Sequence, residues 1–243
     1  MPSKYQVFVK DLRAACNMRG VEPEHIGHAG RSRSYDLFKV TLNPRRKRAV
    51  CFVCGVHGNE TSGPASAIEF LRTYRSEPSH PRIIILPNAN PSGYDRDTYR
   101  NDRNLNPNRH FSDRPLTGEV AALYRAIAHE PLEAFASFHE DDVKKGSYLY
   151  GFARPAADPE LFRTLIRAAS RHGPICTDTR IYRRRAEKGV IGRPVADGSF
   201  EWRMHDDGVP YAICMEVPDV LSMRNCIRIN VGVMEAMVRW WSM

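Results

Sequence analysis

Ala49-Val-Cys-Phe-Val-Cys-Gly-Val-His-Gly-Asn-Glu-Thr61 is the stretch from which the fold of this chain can be read. Val50 to Val56 is apolar and partly β-branched, the composition of a buried strand, and Pro64 stands just beyond, where a helix can begin. His57 and Glu60, three apart on the Gly-Asn turn, therefore sit where a strand ends. A neutral imidazole and a carboxylate on one turn can reach a common cation. Zinc accepts both, normally takes one more protein ligand, and keeps a position open for water.

Outward from that stretch, Pro64 to Tyr74 carries Ala67, Ile68, Leu71 and Tyr74 on one helical stripe, and Arg82 to Pro87 is a second apolar strand. Strand, helix, strand is a crossover unit. Leu132 to Phe138 is a third strand, ending on His139, and Tyr211 to Met215 is a last buried strand running into Glu216. Periodicity predicts further helices over residues 4–18, 119–129 and 158–172, and a terminal one through Ile227, Val231, Met234, Val238 and Trp241. Strands are expected over 24–30, 35–42 and 147–152. Residues 88–113 are expected to be a long polar loop, which inside a compact domain usually carries function, and 177–205 a polar excursion over the surface. The fold class that follows is α/β, with residues 1–243 forming a single catalytic domain around a mixed, largely parallel central sheet with helices on both faces.

The totals narrow the function. At 243 residues the chain is long enough to bury about three quarters of its unfolded surface. No apolar run approaches the roughly 18 residues of a membrane span, so no membrane partner is expected. The N-terminus has no apolar signal region, and a cytoplasmic location is expected. Cys51, Cys54, Cys176, Cys214 and Cys226 lie in or beside apolar segments and read as buried free thiols; Cys51 and Cys54 point to opposite faces of one strand and make no metal or redox pair. A formal charge of +8 permits nucleic-acid binding, but no aromatic-basic module accompanies it. His25-Ile-Gly-His28 matches a string that binds ATP phosphates in nucleotidyl transferases, where it opens a helix; here a strand follows, and the match is coincidental.

Three strands thus end in His57 with Glu60, in His139 and in Glu216. In open α/β sheets ligands collect at the carboxyl ends of strands, so residues far apart in sequence can converge there. His57, Glu60 and His139 complete a His-Glu-His set, leaving Glu216 as a base beside the open position. With these motifs in order, the chain resembles the M14 zinc carboxypeptidases. His57-Gly-Asn-Glu60 resembles their zinc motif, Asn90-Pro-Ser-Gly93-Tyr their Asn-Pro-x-Gly-Tyr, and Asn108-Arg109-His-Phe111 their Asn-Arg-Asn-Phe. Ser137-Phe-His139 resembles the strand of the third ligand, and Gly198-Ser-Phe-Glu-Trp202 the Gly-Ser-x-Asp-Trp segment ahead of the catalytic strand. The His₂Glu set is the one known for carboxypeptidase A.

The resemblance implies one Zn2+ per chain and hydrolysis of a peptide or amide bond beside a C-terminal carboxylate. Zinc would lower the pKa of bound water to about 7, with Glu216 as general base. It implies an arginine for the oxyanion, Arg100 fitting best and Arg103 next. Asn108 and Arg109 would hold the substrate carboxylate, and Phe200 would wall the specificity pocket. The family's closing tyrosine is not visible: Arg193 occupies roughly its place and Tyr182 lies farther away. Glu140-Asp141-Asp142 after His139 would read a basic group or orient the ligand. The expected partner is a small peptide or acyl-amino-acid substrate; the oligomeric state is not legible. Alternatives are an N-acyl amino acid deacylase of the aspartoacylase and succinylglutamate desuccinylase type, and a basic non-enzymatic binding protein using Arg45 to Arg48 and Arg183 to Arg185.

Overall fold

The computed structural model describes residues 2–192 and 195–242. Its frame is an eight-stranded sheet in the order β1 (Glu24–Ala29), β2 (Tyr35–Leu42), β4 (Arg82–Leu86), β3 (Ala49–Cys54), β5 (Leu132–Asp141), β10 (Tyr211–Pro218), β6 (Tyr148–Ala153) and β9 (Val190–Ile191). The four central strands β4, β3, β5 and β10 are mutually parallel, and antiparallel pairing of β2 with β4 and of β6 with β10 flanks them. Every residue of β3 is buried, as its unbroken apolar run requires of a strand covered on both sides.

Alternation along the strands decides what covers each face. Phe52 of β3 meets Phe138 of β5 and Phe70 of α2 (Ser62–Thr73) edge-on, with ring centroids 6.0 and 5.6 Å apart. This face also carries α1 (Lys4–Asn17), α5 (Glu160–Ser170) and α7 (Met223–Trp240). Phe135, three residues before Phe138 and so on the other side of β5, packs against Phe200 of α6 (Phe200–Asp206) at 4.8 Å; α4 (Gly118–Arg125) covers β1 and β2 on that side. The expected mixed sheet with helices on both faces is what forms. No helix among the described residues is long and apolar enough to cross a membrane.

Two segments differ from expectation. The polar loop at 88–113 contains α3 (Pro91–Arg96), started by Pro91 at its first position and by the Asn90 side chain, which accepts from the Gly93 N–H, and a 3₁₀ turn at Pro107–Arg109. Six residues are too few to show a helical period. The excursion at 177–205 contains α6, capped by Ser199, and a two-strand hairpin of β7 (Arg180–Ile181) and β8 (Arg184–Arg185), whose turn residues Tyr182 and Arg183 both have positive φ. β5 and β10 also run past their expected ends, pairing Glu216 with His139, Val217 with Glu140 and Pro218 with Asp141, so His139 and Glu216 lie within strands.

Candidate metal centre

β3, β5 and β10 are adjacent and parallel, so their carboxyl ends open at one edge of the sheet. The turn after β3 is seated on the Asn-Pro-Ser-Gly segment. The Ala89 and Asn90 N–H groups donate to the Cys54 and Gly55 carbonyls, at 2.9 and 2.8 Å. A Cβ on Gly58 would lie 2.1 Å from the Gly93 carbonyl carbon, so this approach of two backbones requires glycine. The His57 turn and the Asn90 segment, separate in sequence, are thus one packed unit.

His57 Nδ1 lies 2.7 Å from Glu60 Oε1, His139 Nδ1 lies 2.9 Å from Glu60 Oε2, and the two Nδ1 atoms are 3.2 Å apart. The three residues are 6%, 6% and 2% exposed. His57 Nε2 faces Asn106 Oδ1 at 3.1 Å, and its ring stacks on Tyr99 with centroids 3.8 Å apart. A carbonyl oxygen can only accept, so with a cation held on Nδ1 the His57 proton would sit on Nε2 and donate to Asn106. Among the described residues His139 Nε2 has no closer partner than Glu201 Oε1 at 3.5 Å, so this nitrogen points away from the triad. Outer contacts of this kind fix the orientation of metal-binding imidazoles.

The charges fit a bound dication. Glu60, Glu201 and Glu216 are three carboxylates around two imidazoles. Burial pushes the Glu216 carboxyl up to about 8; Glu60 and Asp141 add to this and His139 opposes it. Burial also works against ionised Glu60, but His139 and His57 hold its carboxyl below the usual range. Burial likewise opposes Glu201, yet His139 and Ser137 bring it down to about 2. His139 loses basicity by burial but is carried well above the ordinary histidine value by Glu60 and Glu201. Excess buried negative charge held by protons is what a zinc ion would replace.

The cleft in front of the triad has a volume of about 490 Å³ and includes Glu216, Asn108 and Arg109. A larger cavity of about 1070 Å³, beside α5, contains none of the triad and has no acid-base set of this kind. Arg109 is half-exposed at the mouth, its guanidinium 2.6 Å from the Asn108 carbonyl and 3.6 Å from Asp197. The Asn108 amide is occupied, accepting from the Phe200 N–H at 2.9 Å and donating to Glu201 at 3.3 Å, so it ties α6 to the loop. Phe200 does not wall the cleft: it is fully buried and stacked on Phe111 with centroids 3.9 Å apart. The Ser199 cap sets the helix so that Phe200 enters the core and Glu201 faces His139. Arg100 and Arg103 are exposed and outside the cleft, with Arg100 donating to the Asn104 carbonyl at 3.0 Å.

Tyr182 lies in the cleft wall despite its distance in sequence, and donates to Asp141 at 2.8 Å. Arg193 falls outside the described residues. Of the acids after His139, Glu140 and Asp141 have partners within the protein. Glu140 accepts from the Ser62 N–H at the start of α2 at 2.7 Å, and Asp141 accepts from the Tyr148 hydroxyl at 2.6 Å. Asn106, Tyr99, Glu201 and Arg184 were not singled out as site residues. Glu201 stands inside the quoted Gly198-to-Trp202 motif, beside Phe200, and Arg184 inside the Arg183 to Arg185 run, while Asn106 and Tyr99 lie in the 88–113 loop outside the quoted motifs.

Human carboxypeptidase A6 is 35% identical over 88 residues, a match covering 32% of this chain and 20% of that protein, so the match spans a fifth of the curated relative. A candidate metallopeptidase of Shewanella amazonensis SB2B superposes with a TM-score of 0.87 over 98% of this chain and 94% of the other, at 21% identity. Another, from Shewanella denitrificans OS217, gives 0.84 over 98% and 92%, at 22% identity. At those identities the likeness shows a shared fold. Residues 6–224 match the peptidase M14 family model, described as zinc carboxypeptidase, and on that span the chain belongs to the zinc carboxypeptidase family.

Proposed function

We propose that this chain cleaves a peptide or amide bond next to a C-terminal carboxylate, using one zinc ion held by His57, Glu60 and His139. The observation that carries this reading is the convergence of two imidazole Nδ1 atoms and the Glu60 carboxylate, with Glu216 beside His139 across the ladder. Bound zinc supplies Lewis acidity, which acidifies water and polarises the scissile carbonyl. Glu216 accepts the proton from the attacking water and passes it to the leaving amine. For that it must be ionised. Burial alone favours its protonated form at neutral pH, and a nearby dication shifts the balance to the carboxylate.

Arg109, whose fork stands at the cleft mouth, binds the substrate's terminal carboxylate. Arg100 reaches the developing oxyanion after exchanging the Asn104 carbonyl for substrate, a rotation an exposed arginine makes at small cost. Asn108 supports both by fixing the loop and the start of α6 to each other. All six cysteines are buried free thiols, which fits a reducing compartment such as the cytoplasm. The substrate is a small peptide.

Zinc-loaded protein is incubated with peptides bearing free or amidated C-termini and with N-acyl amino acids, and release of amine is followed. Cleavage of the free-acid peptides and loss of cleavage on amidation is the expected result. Turnover of N-acyl amino acids alone would replace the peptidase reading with a deacylase.

A further inference from the structure

The His25-Ile-Gly-His28 segment takes no part in the cleft. It lies on β1, the edge strand of the sheet, three strands removed from the one that leads into His57. In a regular strand, residues three apart face opposite sides. Here the register slips: His25 stands opposite Phe38, Gly27 opposite Leu37, and His28 opposite Asp36. The slip is a β-bulge, a feature that re-aims side chains. It rests on Gly27, whose φ is +143° and where a Cβ would come within 3.0 Å of the Ala122 Cβ in α4. Both imidazoles consequently emerge on the face that carries Asp36, with ring centroids 4.5 Å apart.

His25 Nε2 is 3.4 Å and His28 Nδ1 3.2 Å from the same Asp36 Oδ1, and the three donor atoms all lie within 4.8 Å of one another. Ligand atoms 2.0–2.2 Å from a tetrahedral ion are separated by about 3.4 Å. The spacing is therefore already that of a coordination shell, much as in the His57 triad. The backbone beneath is held: Tyr5 of α1 donates its hydroxyl to the Asp36 carbonyl, and the His25 ring stands edge-on to Phe38. The three side chains are 46%, 59% and 50% exposed, so an ion reaches them without any opening of the fold and water can complete its shell. A surface ion pair needs one imidazole; two rings directed at a single carboxylate oxygen are the arrangement for sharing a cation.

We propose that His25, His28 and Asp36 form a second metal site, one that takes a borderline divalent transition ion such as zinc. Two imidazoles and one carboxylate are the donors such ions prefer, and magnesium or calcium, which require more oxygen ligands, are not held there. The ion bridges β1 to β2 and fastens the edge of the sheet, apart from the catalytic centre.

Metal-free full-length protein is dialysed against zinc, and the bound metal is counted. Wild type is expected to hold two ions per chain, His25→Ala with His28→Ala one, and His57→Ala one. An unchanged melting temperature of the metal-free double variant shows that its fold is intact. Asp36→Asn should weaken only the second binding step, by at least the roughly tenfold that even outer-shell changes cost. One ion in wild type, two ions retained by the double variant, or no effect of Asp36→Asn would each overturn the assignment. Because the count does not depend on turnover, failure of the peptidase reading leaves it standing, and its own failure leaves the His57 triad untouched.

Discussion

Glu216 owes its character to its position on β10. The residue opposite it on β5 is His139, the one opposite on β6 is Tyr148, and the Cys214 thiol donates to its carboxylate at 3.5 Å. Glu216→Gln keeps the shape and removes the proposed base, so zinc content should stay at the wild-type level while kcat falls by about a hundredfold or more. Metal analysis alongside initial rates checks both halves. Arg100 gives a different test. An arginine used only against the oxyanion contributes chiefly in the transition state, so Arg100→Ala should lower kcat by about a hundredfold with little change in KM, whereas Arg109→Ala should act mainly through KM. Equal kcat in wild type and Arg100→Ala would return that residue to the role its contact with the Asn104 carbonyl already gives it. At this scale the sequence was legible for the convergence of His57, His139 and Glu216, because each follows an apolar run, with Glu60 on the turn after His57. It was not legible for Phe200 and Glu201, which are neighbours in a helix of seven residues whose orientation depends on the Ser199 cap and the Asn108 amide.

That short helix joins the core to the cleft. Phe200 stacks on Phe111 and packs on Phe135, so it secures the Asn108 loop and β5 to α6. Truncation to alanine removes a fully buried ring, and Phe200→Ala should cost about 3–5 kcal/mol of unfolding free energy. Denaturant unfolding measures it. A residue walling a substrate pocket would instead change side-chain preference with stability retained. The polar segments at 88–113 and 177–205 hid their helices for the same reason: caps and close backbone contacts, not a repeated apolar stripe, hold them. The hairpin of β7 and β8 brings Tyr182 to Asp141 through two left-handed turn residues, a placement no spacing rule conveys.

Across the whole molecule, a chain of formal charge +8 has gathered Glu60, Glu201 and Glu216 into one buried site. Without metal this has a measurable cost. The Glu216 carboxyl titrates near 8 in the fold against 4.5 in the unfolded chain, so the folded state binds the extra proton and metal-free protein should lose stability as pH rises between those values. Glu216→Gln, which cannot ionise, should show a flatter profile, and zinc should flatten that of wild type. Melting temperatures across this range, with and without zinc, test the linkage; parallel profiles for metal-free wild type and variant would refute it. The amino-acid sequence by itself determined the mixed sheet, the strands that deliver the ligands, and the family, because strand composition and strand-end chemistry are local properties. Only the tertiary structure decided which of Phe200 and Glu201 faces the cleft, that Tyr182 closes its wall, and that a bulge at Gly27 turns His25 and His28 to one side. Those outcomes depend on register, caps and backbone approach between segments distant in the chain, and each is set by packing that no single segment contains.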